Sequence, residues 1–333
     1  MQFQQLAYFV AVAETRHFTR AAERMRVAQP SLSQQVRALE RDVGAALFHR
    51  IRGNVTLTEA GETLLPIARR ILAETETAYR AVRELDELGR GRVRLGATPS
   101  LCTGLLPTML ATFRQDYPGI ELVVRESGSR DLQAELSEGT LDLAIIIDSR
   151  LHDDQRLTTV PLLAEELVVI SAKSTPPPAT ARMPIRALKD HPLVMFRRGY
   201  DLRDATLAAC RAEGFEPTFA IEGGEMDAVL EFVSAGIGLA VVPSTVVGNR
   251  FHTTRFAAPG LTRTVQLAYR RDVEPTRAVR ALRDAIMTSL ARSARAAHLP
   301  FGTKALFPLP TTDQRSSVQA LVAVRGASAS RMV

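Results

Sequence analysis

Residues 17–61 set two short helical patterns on either side of a four-residue turn, and that spacing leaves few folds open to the segment. Just ahead of it, Leu6, Phe9, Val10 and Ala13 recur at helical intervals and give a first helix with one buried face. The Thr19 hydroxyl is expected to cap the second helix, and Ala21-Ala22 keep that helix thin enough for close packing. The turn Arg26-Val27-Ala28-Gln29 leads into Pro30, which suits the first turn of a helix because its missing N–H has no intrahelical partner there. On the third helix Leu32, Val36 and Leu39 face inward, leaving Ser31, Ser33, Gln34, Arg37 and Arg41 outside. After Gly44, Leu47-Phe48 are expected to plug the core. A hairpin is expected around Gly53-Asn54, which supplies positive φ, with His49, Arg50 and Arg52 along it.

Short hydroxyls, amides and guanidinium groups at a helix N-terminus are the types that bond base edges and phosphates. The pattern is that of a winged helix-turn-helix, which lays one helix in the major groove of double-stranded DNA. Candidate DNA contacts are Thr19, Gln29, Pro30, Ser31, Ser33 and Gln34, with Arg37 nearer the backbone and Arg50 or Arg52 on phosphate or in the minor groove. Any one of these side chains could equally be solvated surface; the coincidence of turn, proline and polar face is what points to DNA. Charge follows the same division: residues 1–58 carry net +4, residues 59–91 −2, residues 92–290 −1 and residues 291–333 +5. The neutral middle suits a small-molecule sensor.

Thr58 is placed to cap a long helix running to about Leu88. Along it Leu64, Ala68, Ile71, Thr75, Ala78, Val82 and Leu85 alternate steps of four and three, a seam that fits pairing with a second helix or packing on its own domain. Pro66 costs a backbone hydrogen bond unless it lies in an early turn. Pairing two chains makes physical sense, because two half-sites about one helical turn apart give affinity that a single reader lacks.

Gly89-Arg-Gly-Arg marks a hinge, and beyond it strand-like and helix-like segments alternate. Strands are expected at 92–97, 120–124, 141–147, 193–196, 219–222, 238–242 and 264–269, with several more in 157–171. Helices are expected around 105–113, 132–136, 202–212, 226–234 and 278–290. Such alternation implies parallel-rich sheets covered by helices, with ligands bound at the carboxyl ends of strands next to helix N-termini. Thr98, Ser100 and Thr103 follow the first strand, and Ser127 and Ser129 the second. They are either plain helix caps or a site; as a site, hydroxyls with free N–H groups suit an organic anion, and Pro99 and Leu101 would make it partly apolar. Residues 294–333 read as a disordered basic tail.

With 46% hydrophobic and 23% charged residues in 333, the chain has the composition of a soluble globular protein. No apolar run approaches the roughly 18 residues of a membrane span, and Met1-Gln-Phe-Gln-Gln-Leu lacks the basic start of a signal peptide, so a cytoplasmic protein is expected. Cys102 and Cys210 suggest no disulfide framework. There is no GxSxG, P-loop or HExxH, the six histidines are scattered, and Gly236-Ile-Gly238 follows a helix rather than a strand. An enzyme is therefore not expected, nor a metal or cofactor. The remaining rival is a solute-binding or sensor protein without a transcriptional role, which would lack the salt-dependent duplex binding of a DNA reader.

The N-terminal segment resembles the DNA-binding domain of LysR-type transcriptional regulators. The matching residues are Phe9, Thr19, Ala21-Ala22, Gln29-Pro30-Ser31, Ser33 to Val36, Leu39-Glu40, Gly44, Leu47-Phe48, Arg50, Leu57-Thr58 and Ala60-Gly61. The family often has Arg where Gln34 stands, and Gln pairs with adenine where Arg prefers guanine. Residues 92–290 resemble the family's effector-binding domain through Gly104-Leu-Leu-Pro107, Tyr117-Pro-Gly-Ile120, Gly139 to Ile145, Gly214-Phe-Glu-Pro217 and Val233 to Pro243. The resemblance implies a DNA-binding domain at 1–58, a dimerising linker helix at 59–89 and a two-lobed α/β module like periplasmic solute-binding proteins. Lobe one is expected at 92–160 plus 265–290 and lobe two at 161–264, with a cleft lined by Thr98, Ser100, Leu101, Thr103, Ser129, Ile147, Leu202 and Met226. Promoter DNA, a small-molecule effector, further copies of the chain as dimer or tetramer, and RNA polymerase are the implied partners, with no membrane. One subfamily senses peroxide through two cysteines flanking Leu-Arg-Asp; here Leu202-Arg203-Asp204 and Cys210 are present, but Asp201 replaces the first cysteine.

Overall fold

Three helices, α1 (Phe3–Thr15), α2 (Phe18–Met25) and α3 (Gln29–Val43), close around Leu6, Phe9, Val12, Leu32, Val36 and Leu39. The computed structural model describes residues 1–51, 54–86, 91–148, 155–178 and 181–307. The turns between the helices are made by Arg16 and Arg26, both in the left-handed region. Thr19 does not cap α2: the ring of His17 reaches the helix first, its Nδ1 accepting from the Thr19 N–H at 3.2 Å, so Thr19 already lies in the first turn. Pro30 sits in the first turn of α3, as its chemistry requires.

Strands β1 (Phe48–Ile51) and β2 (Asn54–Leu57) form the wing, paired from Phe48↔Leu57 to Ile51↔Asn54. Asn54 is thus a strand residue, paired with Ile51; the expected turn residue Gly53, like Arg52, lies outside the described residues. The register is fixed by Phe48, whose ring packs against Phe9 and Phe18 with centroids 5.4 and 5.8 Å away. The Thr58 hydroxyl caps α4 (Glu59–Asp86), accepting from the Gly61 N–H at 3.1 Å. Gly61 permits this entry, since a Cβ there would stand 2.2 Å from the Leu47 carbonyl oxygen. Pro66 lies inside α4, past its first turn. The expected seam divides: Ala68 is buried in the N-terminal core with Leu64 and Ile71 packed beside it, whereas Tyr79 and Val82 are each 63% exposed.

The second half begins with β3 (Gly91–Ala97), α5 (Pro99–Gly104), α6 (Leu106–Asp116), β4 (Ile120–Glu126), α7 (Ser129–Ser137) and β5 (Leu143–Ile147). Strand β3 runs parallel to β4 and β5, so three strands end on one side. The expected cluster of strands at 157–171 is one strand, β6 (Leu157–Ala172), long because apolar positions continue from one core into the next. A second lobe follows: β7 (Arg182–Met183), β8 (Leu193–Met195), α8 (Asp201–Ala212), β9 (Phe219–Glu222), α9 (Met226–Ser234), β10 (Ala240–Pro243) and β11 (Phe251–Phe256). The chain returns along β12 (Leu261–Arg270), antiparallel to β6 from Leu167↔Leu261 to Leu157↔Arg270, and α10 (Arg277–Arg295) closes the first lobe.

Leu162 and Leu163 belong to the first core and Leu167 to Ile170 to the second, so β6 passes between lobes at Glu165-Glu166. The expected boundary at 160/161 falls earlier in the same strand. The tail expectation fails for its first part. Strand β13 (Thr303–Ala305) pairs with β6 at Leu163 to Glu165, and Phe307 is buried in the first core with Leu299 and Ala305 against it. Apolar side chains and an open stretch of β6 edge order this segment despite its basic, proline-containing composition. Residues 308–333 lie outside those described.

Candidate functional site

On α3, Gln29, Pro30, Ser31, Gln34, Arg37 and Arg41 are exposed and Ser33 is half-buried, opposite fully buried Leu32, Val36 and Leu39. Pro30, Gln34, Arg37 and Arg41 follow one another along a single stripe. Thr19 is exposed in the first turn of α2 beside Arg20. Arg24 is neutralised by Glu14 at 2.6 Å. Arg20, Arg37 and Arg41 form no ion pair among the described residues, which leaves their charge available to an anionic partner. Arg50 contributes backbone to β1; its side chain, and all of Arg52, lie outside the described residues.

The second site lies where strand ends of the two lobes meet. Thr98 follows β3 as the residue before α5, yet its hydroxyl makes no capping bond and is buried without a partner among the described residues. The Ser100 hydroxyl accepts from Arg263 Nη2 at 2.9 Å. The Ser129 hydroxyl donates to Asp201 Oδ2 at 2.8 Å and accepts from the Ile147 N–H at 3.1 Å, so one side chain links α7, β5 and α8 across the lobes. Thr98, Ser100 and Ile147 line a space of about 10 Å³ with Tyr200, Asp201 and Arg263. That is room for about one water, so the lobes are shut on each other. The remaining expected residues do not line it: Ser129 is taken up by Asp201 and the Ile147 N–H, Leu101 belongs to the first core, Leu202 and Met226 to the second, and Thr103 is exposed.

Three residues here were missed from the sequence. Arg263, on β12, also donates from Nε to Glu165 Oε2 at 2.8 Å, and Glu165 Oε1 accepts from the Thr245 N–H at 3.2 Å. Only the pairing of β12 with β6 brings them together. Tyr200 stacks on Phe196 with centroids 4.6 Å apart; burial and then the Glu225 charge push its phenol well up, and its hydroxyl has no partner among the described residues. A Gly-Tyr step before a helix was the one available signal. Burial, reinforced by Glu126, pushes the Cys102 thiol up to about 12; burial takes Cys210 to about 11. Asp201 and Cys210 stand on the same helix, about 13 Å apart along its axis, a separation that two thiols could bridge only if the helix rearranged.

The linker helix is tied to the first lobe by charge. Arg80 of α4 holds Asp142 with both terminal nitrogens at 3.0 and 3.1 Å, and Arg94 of β3 meets the same carboxylate at 2.6 Å. Burial alone would raise Asp142, but the hydrogen bonds and charges of Arg94 and Arg80 outweigh it and hold the carboxyl below its ordinary value. Arg69 spans further, meeting Glu138, the residue just past α7, at 3.1 Å and Glu14 of α1 at 3.4 Å.

Residues 3–62 match the model of bacterial regulatory helix-turn-helix proteins of the LysR family, and residues 86–291 match the LysR substrate binding domain. The HTH-type transcriptional regulator YnfL of Escherichia coli K12 is 34% identical over 248 residues, 74% of this chain and 83% of that protein. The DNA-binding transcriptional dual regulator OxyR of the same organism is 30% identical over 247 residues, 74% of this chain and 80% of that one. Among solved structures, a cysteine-to-aspartate variant of full-length OxyR from Pseudomonas aeruginosa is similar at TM-score 0.67 and 30% identity, covering 88% of this chain and 97% of that one. A polar reading helix on a three-helix core, a linker helix and a two-lobed closed cleft, in this order and with these matches, make the chain a member of the LysR family of bacterial transcriptional regulators.

Proposed function

We propose that the chain acts in the cytoplasm as a homo-oligomer that grips promoter DNA through α3 and the wing, without catalysis of its own. A small molecule held at the Thr98, Ser100, Ser129 and Ile147 end of the cleft sets the angle between lobes. That angle re-spaces paired readers on the promoter and alters contact with RNA polymerase. In this scheme Ser33, Gln34 and the α3 N-terminus read base edges, Arg37 holds phosphate, and the exposed Tyr79 and Val82 of α4 meet a second copy. Among the described residues no helix is long and apolar enough to cross a membrane.

The observation that carries this reading is the α3 stripe: polar, exposed, rigidly backed and with cations not already spent on carboxylates. Fluorescence anisotropy on the duplex upstream of this gene, against a scrambled duplex over a range of salt, tests it. Ser33→Ala with Gln34→Ala should bring specific binding down to the scrambled level, since each good base contact discriminates by about 1–3 kcal/mol, while salt-dependent background binding persists. Specific binding undiminished by the double substitution would remove α3 from the interface.

A further inference from the structure

The chain passes between the lobes twice, outward on β6 and back on β12, and a third strand joins that pair at the crossing itself. At Glu165 the ladder has a partner on each edge of β6: Arg263 of β12 on one, Thr303 of β13 on the other. Strand β10 shares the second edge, since Leu167 pairs with Pro243 there and with Leu261 of β12 opposite. Strands β13 of lobe one and β10 of lobe two therefore lie end to end along β6, both antiparallel to it. The junction between them is closed at Glu166, whose N–H donates to the Gly302 carbonyl at 2.8 Å. The far end of β13 is fixed by the Leu306 N–H, which donates to the Leu162 carbonyl at 3.0 Å.

Side chains carry the same segment onto lobe two. Gly302, at φ +70°, sits so close to Ser244, the residue after β10, that a Cβ would stand 2.5 Å from its hydroxyl oxygen. The Phe301 ring lies under the Arg255 guanidinium of β11, 5.5 Å from the ring centroid, and Arg255 is itself ion-paired with Glu166. On the other side Phe307 is buried in the first core, with Leu299 and Ala305 packed against it. A segment held by both lobes resists their relative rotation. Without it the crossing would be a two-stranded ribbon, the form of sheet that twists most, with an open edge at Leu162 to Glu166. The cleft is one step away: Glu165, opposite Thr303, holds Arg263, whose Nη2 donates to the Ser100 hydroxyl at 2.9 Å. Residues 299–307 also lie beyond residues 86–291, the stretch that matches the family's sensor domain.

We infer that residues 299–307 are a splint across the hinge, which holds the lobes in their closed arrangement and sets the stiffness against which they turn. Its regulatory role rests on the reading of the cleft as the effector site. An effector that favours another lobe angle must bind that state more tightly by at least what the splint's contacts with lobe two contribute.

Hydrogen exchange of the full-length protein, without any effector and read by mass spectrometry in short peptides, tests this. The reporters are the Ile147 N–H, which lies at the closed space and is held by Ser129, and the Thr245 N–H, held by Glu165 at the crossing. Gly302→Val, opposed by both the Ser244 contact and the positive φ, should accelerate both reporters on the order of tenfold, the weight of one or two net hydrogen bonds. A chain ended after His298 should do the same, whereas one ended after Leu309 keeps the splint and should exchange like the wild type. Peptides from β3 and α3 should be unchanged in Gly302→Val, which separates a loosened hinge from general destabilisation. Reporters as slow as the wild type in both Gly302→Val and the chain ended after His298 overturn the inference; so does acceleration spread evenly over lobe one in Gly302→Val. Footprinting of the same variants on the upstream duplex tells the two proposals apart. Faster reporters with an unaltered footprint support the splint and refute the link between lobe angle and DNA reading.

Discussion

Replacing Asp142 by alanine removes a carboxylate that clamps two arginines from different parts of the chain, Arg80 on the linker helix and Arg94 on the first strand of the sensor. The clamp is largely shielded: the side chains of Asp142 and Arg80 are 8% and 10% exposed. Deleting one partner of a buried ion pair costs about 3–5 kcal/mol. The lower end applies, because Arg80 can swing out to water once released; the Arg94 N–H, which donates to Asp142 at 2.8 Å, loses its acceptor as well. A cost of about 3 kcal/mol is a change of more than a hundredfold in an equilibrium constant, so amide exchange in the last turns of α4 should accelerate by about two decades while the N-terminal core is unaffected. The acid dependence has a definite sign. The folded Asp142 carboxyl titrates below the ordinary 3.8, so its stabilisation is fully present above that value and is lost as the pH falls below it toward the folded value. Asp142→Asn should abolish that acid-driven loosening of the linker. Exchange in α4 indistinguishable from the wild type in Asp142→Ala, with acid loosening retained in Asp142→Asn, would refute the claim that this carboxylate holds the linker to the sensor.

Phe307→Ala, in the segment outside the sensor domain match, should cost about 3–5 kcal/mol as a large-to-small change in a core, read by denaturant unfolding; a loss below about 1 kcal/mol would mean the segment merely rests on the surface. Cys102, its thiol pushed up to about 12, stays protonated at neutral pH and should alkylate slowly and form no bridge to Cys210 after peroxide treatment; rapid labelling by iodoacetamide or a Cys102–Cys210 bridge in mass spectra would contradict this.

Much of the DNA-reading unit was legible because its determinants are local. Leu32, Val36 and Leu39 mark the buried face of α3 by spacing alone, and Pro30 marks its start. Thr19 misled because a hydroxyl is the common cap, while the ring of His17 had no pattern to announce it. The seam on α4 was readable as a stripe but not as two: nothing local says that Ala68 turns toward its own domain and Val82 away. In the sensor, Thr98, Ser100, Ser129 and Ile147 could be placed at strand ends, whereas Arg263 and Glu165 meet only because β12 and β6 pair across nearly a hundred residues. Leu101, Leu202 and Met226 flank the polar positions in sequence but point into the cores, a distinction that depends on helix orientation and not on neighbourhood. The order of residues 303–307 was hidden by composition, since proline and basic charge outweigh two or three apolar side chains unless an open strand edge is already known.

Lobe two departs on β6 at Leu167 and rejoins on β12 at Leu261, and these two residues face each other in the ladder. Opposed Cα atoms in an antiparallel pair lie about 5 Å apart, so the whole lobe is an excursion from the tip of what would otherwise be a hairpin. A two-residue turn could span that gap. The fold is therefore divisible by design of its topology: lobe one retains both ends of its sheet and its closing helix α10 when the excursion is cut out, and a foreign domain with adjacent termini can be spliced at the same point without rethreading the chain.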